Sequence, residues 1–204
     1  MIARSLGLVA YEPTWRAMQA FTRARDSDTP DQLWLLEHPP VFTLGLAGRR
    51  EHVHSPGDIP VVSSDRGGQV TYHGPGQAVC YVLLDLRRSG LGVKELVRRL
   101  EQAAIEVLAG YGIRGERREA MPGVYVSGAK IAAIGLRIAR GCSYHGIALN
   151  SDLDLEPFAR IDPCGYPGLA STSLAREGAH DKISAVQQRL ADAVQRLVAP
   201  PPGN

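Results

Sequence analysis

Three cysteines supply candidate nucleophiles, and their surroundings in the sequence differ. Cys164 lies in the segment 161–168, whose prolines and glycines are typical of a loop. Cys80 lies in an apolar, strand-like stretch and is expected to be a small core residue, whereas Cys142 opens another strand-like stretch and is ambiguous. A reactive thiolate needs access and an electropositive neighbour, so Cys164 is the best candidate nucleophile.

Lys130 is the second residue whose type and setting suggest chemistry. It lies in a run of small and apolar residues, 128–137, so its side chain either extends to the surface or is held buried for its reactivity. Position alone favours the surface. The chain has three lysines against twenty arginines, and an amine that can lose its proton is a role that arginine cannot fill.

A glycine-rich segment, 66–77, is the third candidate. Paired glycines allow a backbone to approach a ligand closely and expose its N–H groups. The alternative is a glycine-rich hairpin that contains a packed histidine. The segment lacks the Gly-Lys-Ser/Thr of a phosphate-binding loop and does not match a dinucleotide-binding fingerprint.

Hydrophobic periodicity predicts the elements that must position these residues. Strands outnumber helices and occur in blocks, which predicts an α+β fold: a mixed sheet with helices packed against one side. One domain spans 1–204, with Asp181 as a candidate cap for the last helix. The predicted helices cover 14–25, 93–111 and 181–198, followed by a frayed tail at 199–204. The predicted strands cover 2–10, 32–38, 41–46, 69–73, 78–86, 124–126, 130–139 and 142–149.

Composition gives no reason to expect a nucleic-acid or membrane partner. The formal net charge is +2, and no block of five like charges occurs. The apolar stretch after Arg4 is too short for a signal peptide or a membrane span. An odd number of cysteines without a Cys-x-x-Cys pair argues against a disulfide framework or a closed zinc site, and favours a reducing cytoplasm.

Together these segments resemble the lipoyl(octanoyl) transferases of lipoic acid synthesis. The resemblance rests on four motifs in the same order: Arg-Gly-Gly followed by Thr-Tyr-His, Gly-Gln and Tyr81; Gly-Ala-Lys-Ile-Ala-Ala-Ile-Gly around Lys130; His-Gly-Ile-Ala-Leu-Asn at 145–150; and Pro-Cys-Gly around Cys164. It covers roughly residues 30–175 in detail.

The resemblance implies a fold like the catalytic domain shared by biotin and lipoate protein ligases. It also implies that Cys164 is the acyl-thioester nucleophile, and that Lys130 favours its thiolate and shuttles protons. The acyl-substrate-binding residues that it implies are Arg66, Gly67, Gly68, Gln69, Val70, Thr71, Tyr72, His73, Ala133, Ile134, Gly135, Gly146, Ile147 and Ala148. An apolar slot among them would prefer an eight-carbon chain without selecting it absolutely.

The implied donor is octanoyl-acyl carrier protein. The implied acceptors are lipoyl domains of 2-oxoacid dehydrogenase E2 subunits and the glycine cleavage H protein, and no cofactor or metal is expected. Three alternatives remain open from the residues alone. They are an ATP-dependent lipoate or biotin protein ligase, a non-catalytic module that binds the carrier domains, and a zinc enzyme that uses His73, His145 and a cysteine, whose spacing does not support it.

Overall fold

A computed structural model describes residues 1–162 and 168–199. This part of the chain contains two sheets and four α-helices. The strands are β1 (Ile2–Leu8), β2 (Gln32–Glu37), β3 (Val41–Leu44), β4 (Val61–Ser63), β5 (Val70–His73), β6 (Gln77–Leu83), β7 (Gly123–Val126), β8 (Ala129–Ala139) and β9 (Cys142–Asn150). The helices are α1 (Tyr11–Ala24), α2 (Leu86–Ser89), α3 (Val93–Ala109) and α4 (Ile183–Val198), and short 3₁₀ turns cover Arg50–His52 and Glu156–Arg160.

The large sheet has the strand order β1-β2-β6-β9-β8-β7, and the small sheet has the order β4-β3-β5. In the large sheet, β1 and β2 are parallel and the other neighbours are antiparallel. In the small sheet, β3 is parallel to β4 and antiparallel to β5. The predicted α+β class with a mixed sheet is therefore confirmed.

Helices cover both faces of the large sheet, so the prediction of helices on one side is wrong. Along β6, Cys80 and its alternate neighbours join the core cluster formed with α3 and α4. Val79, Tyr81 and Leu83 form a second cluster with Met18 of α1. Because apolar residues occupy both faces of this strand, each face needs a cover.

Two local departures from the sequence-based boundaries have clear causes. The strand predicted over 78–86 ends earlier, because the carboxylate of Asp85 accepts the N–H groups of Arg87 and Arg88 and so caps the short helix α2. Asp181 does not cap α4, whose N-cap residue is Lys182. Its carboxylate instead accepts the hydroxyl of Tyr111 and the Lys182 N–H.

The short strand β4 was not predicted, and the frayed tail falls mainly in 200–204, outside the described residues. No helix in the described ranges is long and apolar enough to cross a membrane.

The turn between β5 and β6 brings the glycine-rich segment over the large sheet. Gly76 has φ +84°, and a Cβ there would lie 2.0 Å from the carbonyl oxygen of Asp152. The carbonyl of Gly76 accepts the N–H groups of Ser151 and Asp152, which follow β9. At the other end of the segment, Gly67 N–H donates to the Leu136 carbonyl at 2.8 Å. Residues 66–76 are thus fastened to β8 and to the end of β9.

Candidate active site

A cavity of about 280 Å³ lies where the glycine-rich segment meets β6, β8 and β9. This is close to the lower end of the range for small-molecule sites, about 300–1,000 Å³. Seven of the predicted substrate-binding residues line it from the segment 66–73, and six line it from β8 and β9. The latter are Ala133, Ile134, Gly135, Gly146, Ile147 and Ala148. The structure therefore assembles residues that are up to 82 positions apart in the sequence, from Arg66 to Ala148.

Tyr72 is the exception among the predicted binding residues. Its ring packs against Phe42 and Phe158 in the core of the small sheet, with ring centroids 5.6 Å and 5.4 Å away. Side chains alternate along β5, so Thr71 and His73 line the cavity while Tyr72 points to the opposite face. In the described part of the chain, Tyr72 is therefore not one of the residues that line the cavity.

Arg66 fixes the glycine-rich segment. It is 7% exposed, and its guanidinium donates to the carbonyl and hydroxyl oxygens of Thr43 and to the carbonyl of Gly67. Gly45 permits the close approach of the two chains, since a Cβ there would lie 2.3 Å from the Gly68 carbonyl oxygen. These contacts give Arg66 a role in shaping the cavity wall.

Lys130 is buried, with 9% of its surface exposed, and does not extend to the surface. Its Nζ donates to the Pro122 carbonyl at 3.1 Å and lies 5.8 Å from the ring centroid of Tyr125. Gly123 has φ +137°, and a Cβ at that position would lie 2.7 Å from Cε of Lys130. The missing side chain at Gly123 therefore leaves room for the lysine stem, and Lys130 lines the cavity together with Pro122.

Cys164 lies outside the described residues, so its role stays a prediction. The chain on either side is described and is held by main-chain pairing. Asp162 N–H donates to the carbonyl of His52 at 2.9 Å. On the other side, Lys130 N–H donates to the Ala170 carbonyl and Thr172 N–H donates to the Lys130 carbonyl. The chain that leaves segment 163–167 is therefore paired directly with Lys130.

The other two cysteines are poor nucleophile candidates. Cys80 is fully buried, as expected, and burial raises the pKa of its thiol to about 12. Cys142 is buried at the start of β9 and lies 3.8 Å from the Arg140 carbonyl oxygen. A thiol that is inaccessible reacts slowly with a bulky thioester.

Asp65 forms a hub at the cavity that sequence reasoning missed. Its carboxylate accepts hydrogen bonds from Trp15 Nε1 at 2.7 Å, Gln19 Nε2 at 3.0 Å, the hydroxyl of Tyr144 and Nε2 of His145 at 2.9 Å. Burial alone would raise the pKa of Asp65, but the bonds from His145, Tyr144 and Gln19 outweigh burial and lower it. The carboxylate is thus ionised and accepts four donors from two elements, α1 and β9.

His145 is held in an uncommon backbone conformation, with φ +59° within β9. This conformation lets the consecutive side chains of Tyr144 and His145 reach the same carboxylate. Burial lowers the pKa of His145, although Asp65 opposes the shift. The imidazole is therefore neutral, with Nε2 as the donor toward Asp65, and within the described residues its buried Nδ1 has no hydrogen-bond partner.

Two further histidines surround Tyr11 beside this hub. The Tyr11 ring lies 5.9 Å from His73 and 5.2 Å from His38, and His38 Nε2 lies 2.7 Å from the Tyr81 hydroxyl. Burial lowers the pKa of His38 to about 4 and that of His73 to about 3. This end of the cavity is consequently polar but carries uncharged imidazoles.

The zinc alternative gains no geometric support. Within residues 1–162 and 168–199, no group of three His, Cys, Asp or Glu side chains is placed to hold a metal ion. His73 instead pairs with Oε1 of Gln77 at 2.7 Å, and His145 with Asp65.

Comparison with known proteins gives the class to which this chain belongs. Residues 10–195 match the family described as the lipoyl protein ligase A/B catalytic domain, and the chain belongs to this family. The octanoyltransferase of Thiobacillus denitrificans is 60% identical over 198 residues, which cover 97% of this chain and 91% of the relative. The octanoyltransferase of Aromatoleum aromaticum is 58% identical over 200 residues, covering 98% and 87%. The chain is therefore an enzyme, an acyltransferase.

Solved structures confirm the expected fold. A bi-partite lipoate protein ligase from Thermoplasma acidophilum aligns with a TM-score of 0.75 at 15% identity, covering 97% of this chain and 84% of that one. The biotin protein ligase of Aquifex aeolicus aligns with a TM-score of 0.59 at 11% identity, covering 97% and 69%. The predicted resemblance to the catalytic domain of biotin and lipoate protein ligases is thus confirmed at the level of the fold.

Proposed function

We propose that the chain transfers an octanoyl group from octanoyl-acyl carrier protein to a lysine of a lipoyl domain, through a thioester on Cys164. The acceptors are lipoyl domains of 2-oxoacid dehydrogenase E2 subunits and the glycine cleavage H protein. The reaction takes place in a reducing cytoplasm and needs neither nucleotide nor metal. It is the first step of protein lipoylation from an endogenous acyl chain.

One observation carries this proposal. Lys130 is a buried amine at the cavity wall, and its main chain pairs with Ala170 and Thr172, just beyond the segment that contains Cys164. The stretch from Cys164 to Ala170 is six residues, and each residue spans at most about 3.5 Å. The chain connection therefore allows a Cys164–Lys130 pair, while Cys80 and Cys142 are both buried in the large sheet.

The first half-reaction exchanges one thioester for another. The Cys164 thiolate attacks the donor's carbonyl carbon, a carbon–sulfur bond to Cys164 forms and the donor's own carbon–sulfur bond breaks. The pantetheine sulfur leaves as a thiolate and takes a proton from the Lys130 ammonium, which becomes a neutral amine. The bond types made and broken are the same, so the step is close to thermoneutral and requires no ATP. The ammonium of Lys130 would stabilise the attacking thiolate.

The second half-reaction forms an amide. The acceptor's lysine attacks the Cys164 thioester, a carbon–nitrogen bond forms, and the carbon–sulfur bond breaks. The attacking amine must lose a proton, and Lys130 in its neutral form can accept it. Amide formation from a thioester is downhill, which makes the overall transfer favourable.

Intact-mass spectrometry tests the proposal directly. The protein is incubated with octanoyl-acyl carrier protein in EDTA and apyrase, and we expect one octanoyl adduct that disappears when a lipoyl domain is added. Peptide mapping should locate the adduct on Cys164. Cys164→Ser should form no adduct, and the matched variant Cys142→Ser should form it normally.

Three results would contradict the proposal. An adduct on Cys80 or Cys142 would refute Cys164 as the nucleophile. A requirement for ATP would favour a ligase on the same fold. Binding of the carrier without any acyl transfer would favour a non-catalytic module.

A further inference from the structure

The floor of the cavity is divided into rows of residues paired across three strands. One row consists of Val79, Ala148 and Ala133, which are partners across β6, β9 and β8. All three line the cavity. Two of the three are alanines, and their short side chains leave space in the cavity above this row.

The next row consists of Tyr81, Gly146 and Gly135, and these residues also line the cavity. Here Tyr11 and His145 add their rings beside Tyr81. These rings are fixed by hydrogen bonds within the protein. The Tyr81 hydroxyl bonds His38, the Tyr11 hydroxyl donates to Ser64, and His145 donates to Asp65. We therefore regard this row as a rigid wall.

At the opposite end, Asn150 lies two residues beyond Ala148 along β9 and is paired with Gln77 of β6. Its side chain donates to the Thr172 carbonyl at 2.9 Å, and Thr172 N–H donates to the Lys130 carbonyl. Asn150 and Lys130 thus mark the same end of the cavity. Paired rows two residues apart are separated by about 6.7 Å, so roughly 13 Å separate the Asn150 row from the Tyr81 row.

We propose that these rows act as a ruler for the acyl chain, with Ala148 and Ala133 flooring the slot and Tyr81 closing it. The inference rests on the proposed function, which puts the thioester carbonyl at the Lys130 end. With C–C bonds of about 1.5 Å in a staggered chain, each carbon advances the chain by about 1.25 Å, and eight carbons span roughly 9 Å.

These distances favour a chain of eight carbons. The terminal methyl of an octanoyl group stops roughly 4 Å short of the Tyr81 row, which is an ordinary van der Waals contact. Two further carbons would remove about 2.5 Å of that separation and press the methyl against side chains that are locked by hydrogen bonds. Two fewer carbons would leave that space unfilled.

The experiment compares kcat/KM for hexanoyl-, octanoyl- and decanoyl-acyl carrier proteins. The wild-type chain should prefer octanoyl. Ala148→Val adds two methyl groups at the row where a hexanoyl chain ends and which an octanoyl chain must pass, so we expect octanoyl transfer to fall about 10- to 100-fold and hexanoyl transfer to fall less. Ala139→Val, on the same strand as Ala133 but beyond the cavity, is the matched control and should keep the wild-type profile.

Two further variants keep the test decisive if Ala148→Val does not fold. Ala133→Val should shift the preference to hexanoyl in the same way, and Tyr81→Leu should raise decanoyl transfer relative to octanoyl. An octanoyl preference retained in folded Ala148→Val or Ala133→Val would overturn the ruler while leaving the transferase proposal intact. A wild-type chain that transfers none of the three acyl groups would overturn both.

Discussion

The two ends of the cavity are built by different means. At the Tyr81 end, side chains from α1, β6 and β9 form hydrogen bonds with one another, with His38 or with the ionised carboxylate of Asp65, which accepts four of their donors. At the Lys130 end, the lysine is positioned by its bond to the Pro122 carbonyl and by main-chain pairing with residues 170–172. One end is held mainly by a network of side chains. The other is held mainly by paired backbone segments, with the Asn150 side chain joining β9 to Thr172.

This difference suggests a division of tasks. A side-chain network fixes the shape of a wall, because each group restrains its neighbours. At the backbone junction, main-chain bonds place the strand that carries Lys130, so the amine is less dependent on neighbouring side chains for its position. We therefore expect substitutions at the two ends to separate. Changes at the Lys130 end should affect rate, and changes at the Asp65 end should affect stability first.

Lys130→Arg should produce the largest effect. Arginine keeps the positive charge but does not deprotonate, and its guanidinium is larger than an ammonium. We expect turnover to fall by about 10²–10⁴, the range for a general acid–base group. The measurement is the rate of octanoyl transfer, with circular dichroism and Tm as controls for folding.

The same variant separates two roles of Lys130. If the charge alone matters, Cys164 should still react with iodoacetamide and the acyl-enzyme should still form. If proton transfer matters, the second half-reaction should suffer most. A folded Lys130→Arg protein that keeps most of the wild-type rate would refute the Cys–Lys pair.

Asp65→Asn should produce the next largest effect, and mainly on stability. The amide is the same size as the carboxylate, but its N–H₂ group would face donors from Trp15, Gln19, Tyr144 or His145. We expect a loss on the order of 2–3 kcal/mol in the free energy of unfolding, because hydrogen bonds to a charged group are broken. Urea denaturation measures it.

Asp58→Asn, an exposed carboxylate in the loop before β4, serves as the control and should change stability by less than about 0.5 kcal/mol. If Asp65→Asn is as stable as the control, the hub has no structural role.

Acidification should weaken the histidine cluster around Tyr11 more gradually. Burial lowers the pKa of His38 to about 4 and of His73 to about 3, from an ordinary value of 6.5. As the pH falls below 6.5, the unfolded chain gains protons that the folded chain does not, so stability falls until the folded histidines titrate. We expect a slope of roughly 1 kcal/mol per pH unit for each histidine between pH 6 and pH 4.

Urea titrations at several pH values measure the change of unfolding free energy with pH. The variant His38→Gln should reduce this slope by about the contribution of one histidine. Stability that is independent of pH over this interval would mean that the buried imidazoles do not resist protonation.

How far the sequence predicted this molecule depends on the range of the interactions. The α+β class and most elements follow from local periodicity, which is why α3 and the strands around Lys130 were placed well. The cavity-lining residues came from motifs that resemble a family. Asp65 was missed because its four partners are 46 to 80 positions away, and no local pattern signals such a hub. Tyr72 was assigned with its neighbours, although alternation along β5 turns it away.

The smallest effect is expected where a half-exposed side-chain contact, between His54 and Asp162, supplements the backbone junction. His54 Nε2 lies 2.9 Å from the Asp162 carboxylate, two residues before Cys164, and half of the His54 side chain is exposed. Exposed pairs contribute about 0–1 kcal/mol, since water screens them. Main-chain bonds already join the same segments: His54 N–H donates to the Arg160 carbonyl and Asp162 N–H to the His52 carbonyl, both at 2.9 Å.

We therefore expect His54→Gln to change the free energy of unfolding by less than about 1 kcal/mol and the transfer rate by less than about threefold. The measurements are the transfer rate and Tm of the variant beside those of the wild-type chain. A large loss of rate with an unchanged Tm would contradict the comparison between the two ends. It would mean that a side-chain contact, and not backbone pairing, positions the segment that carries Cys164.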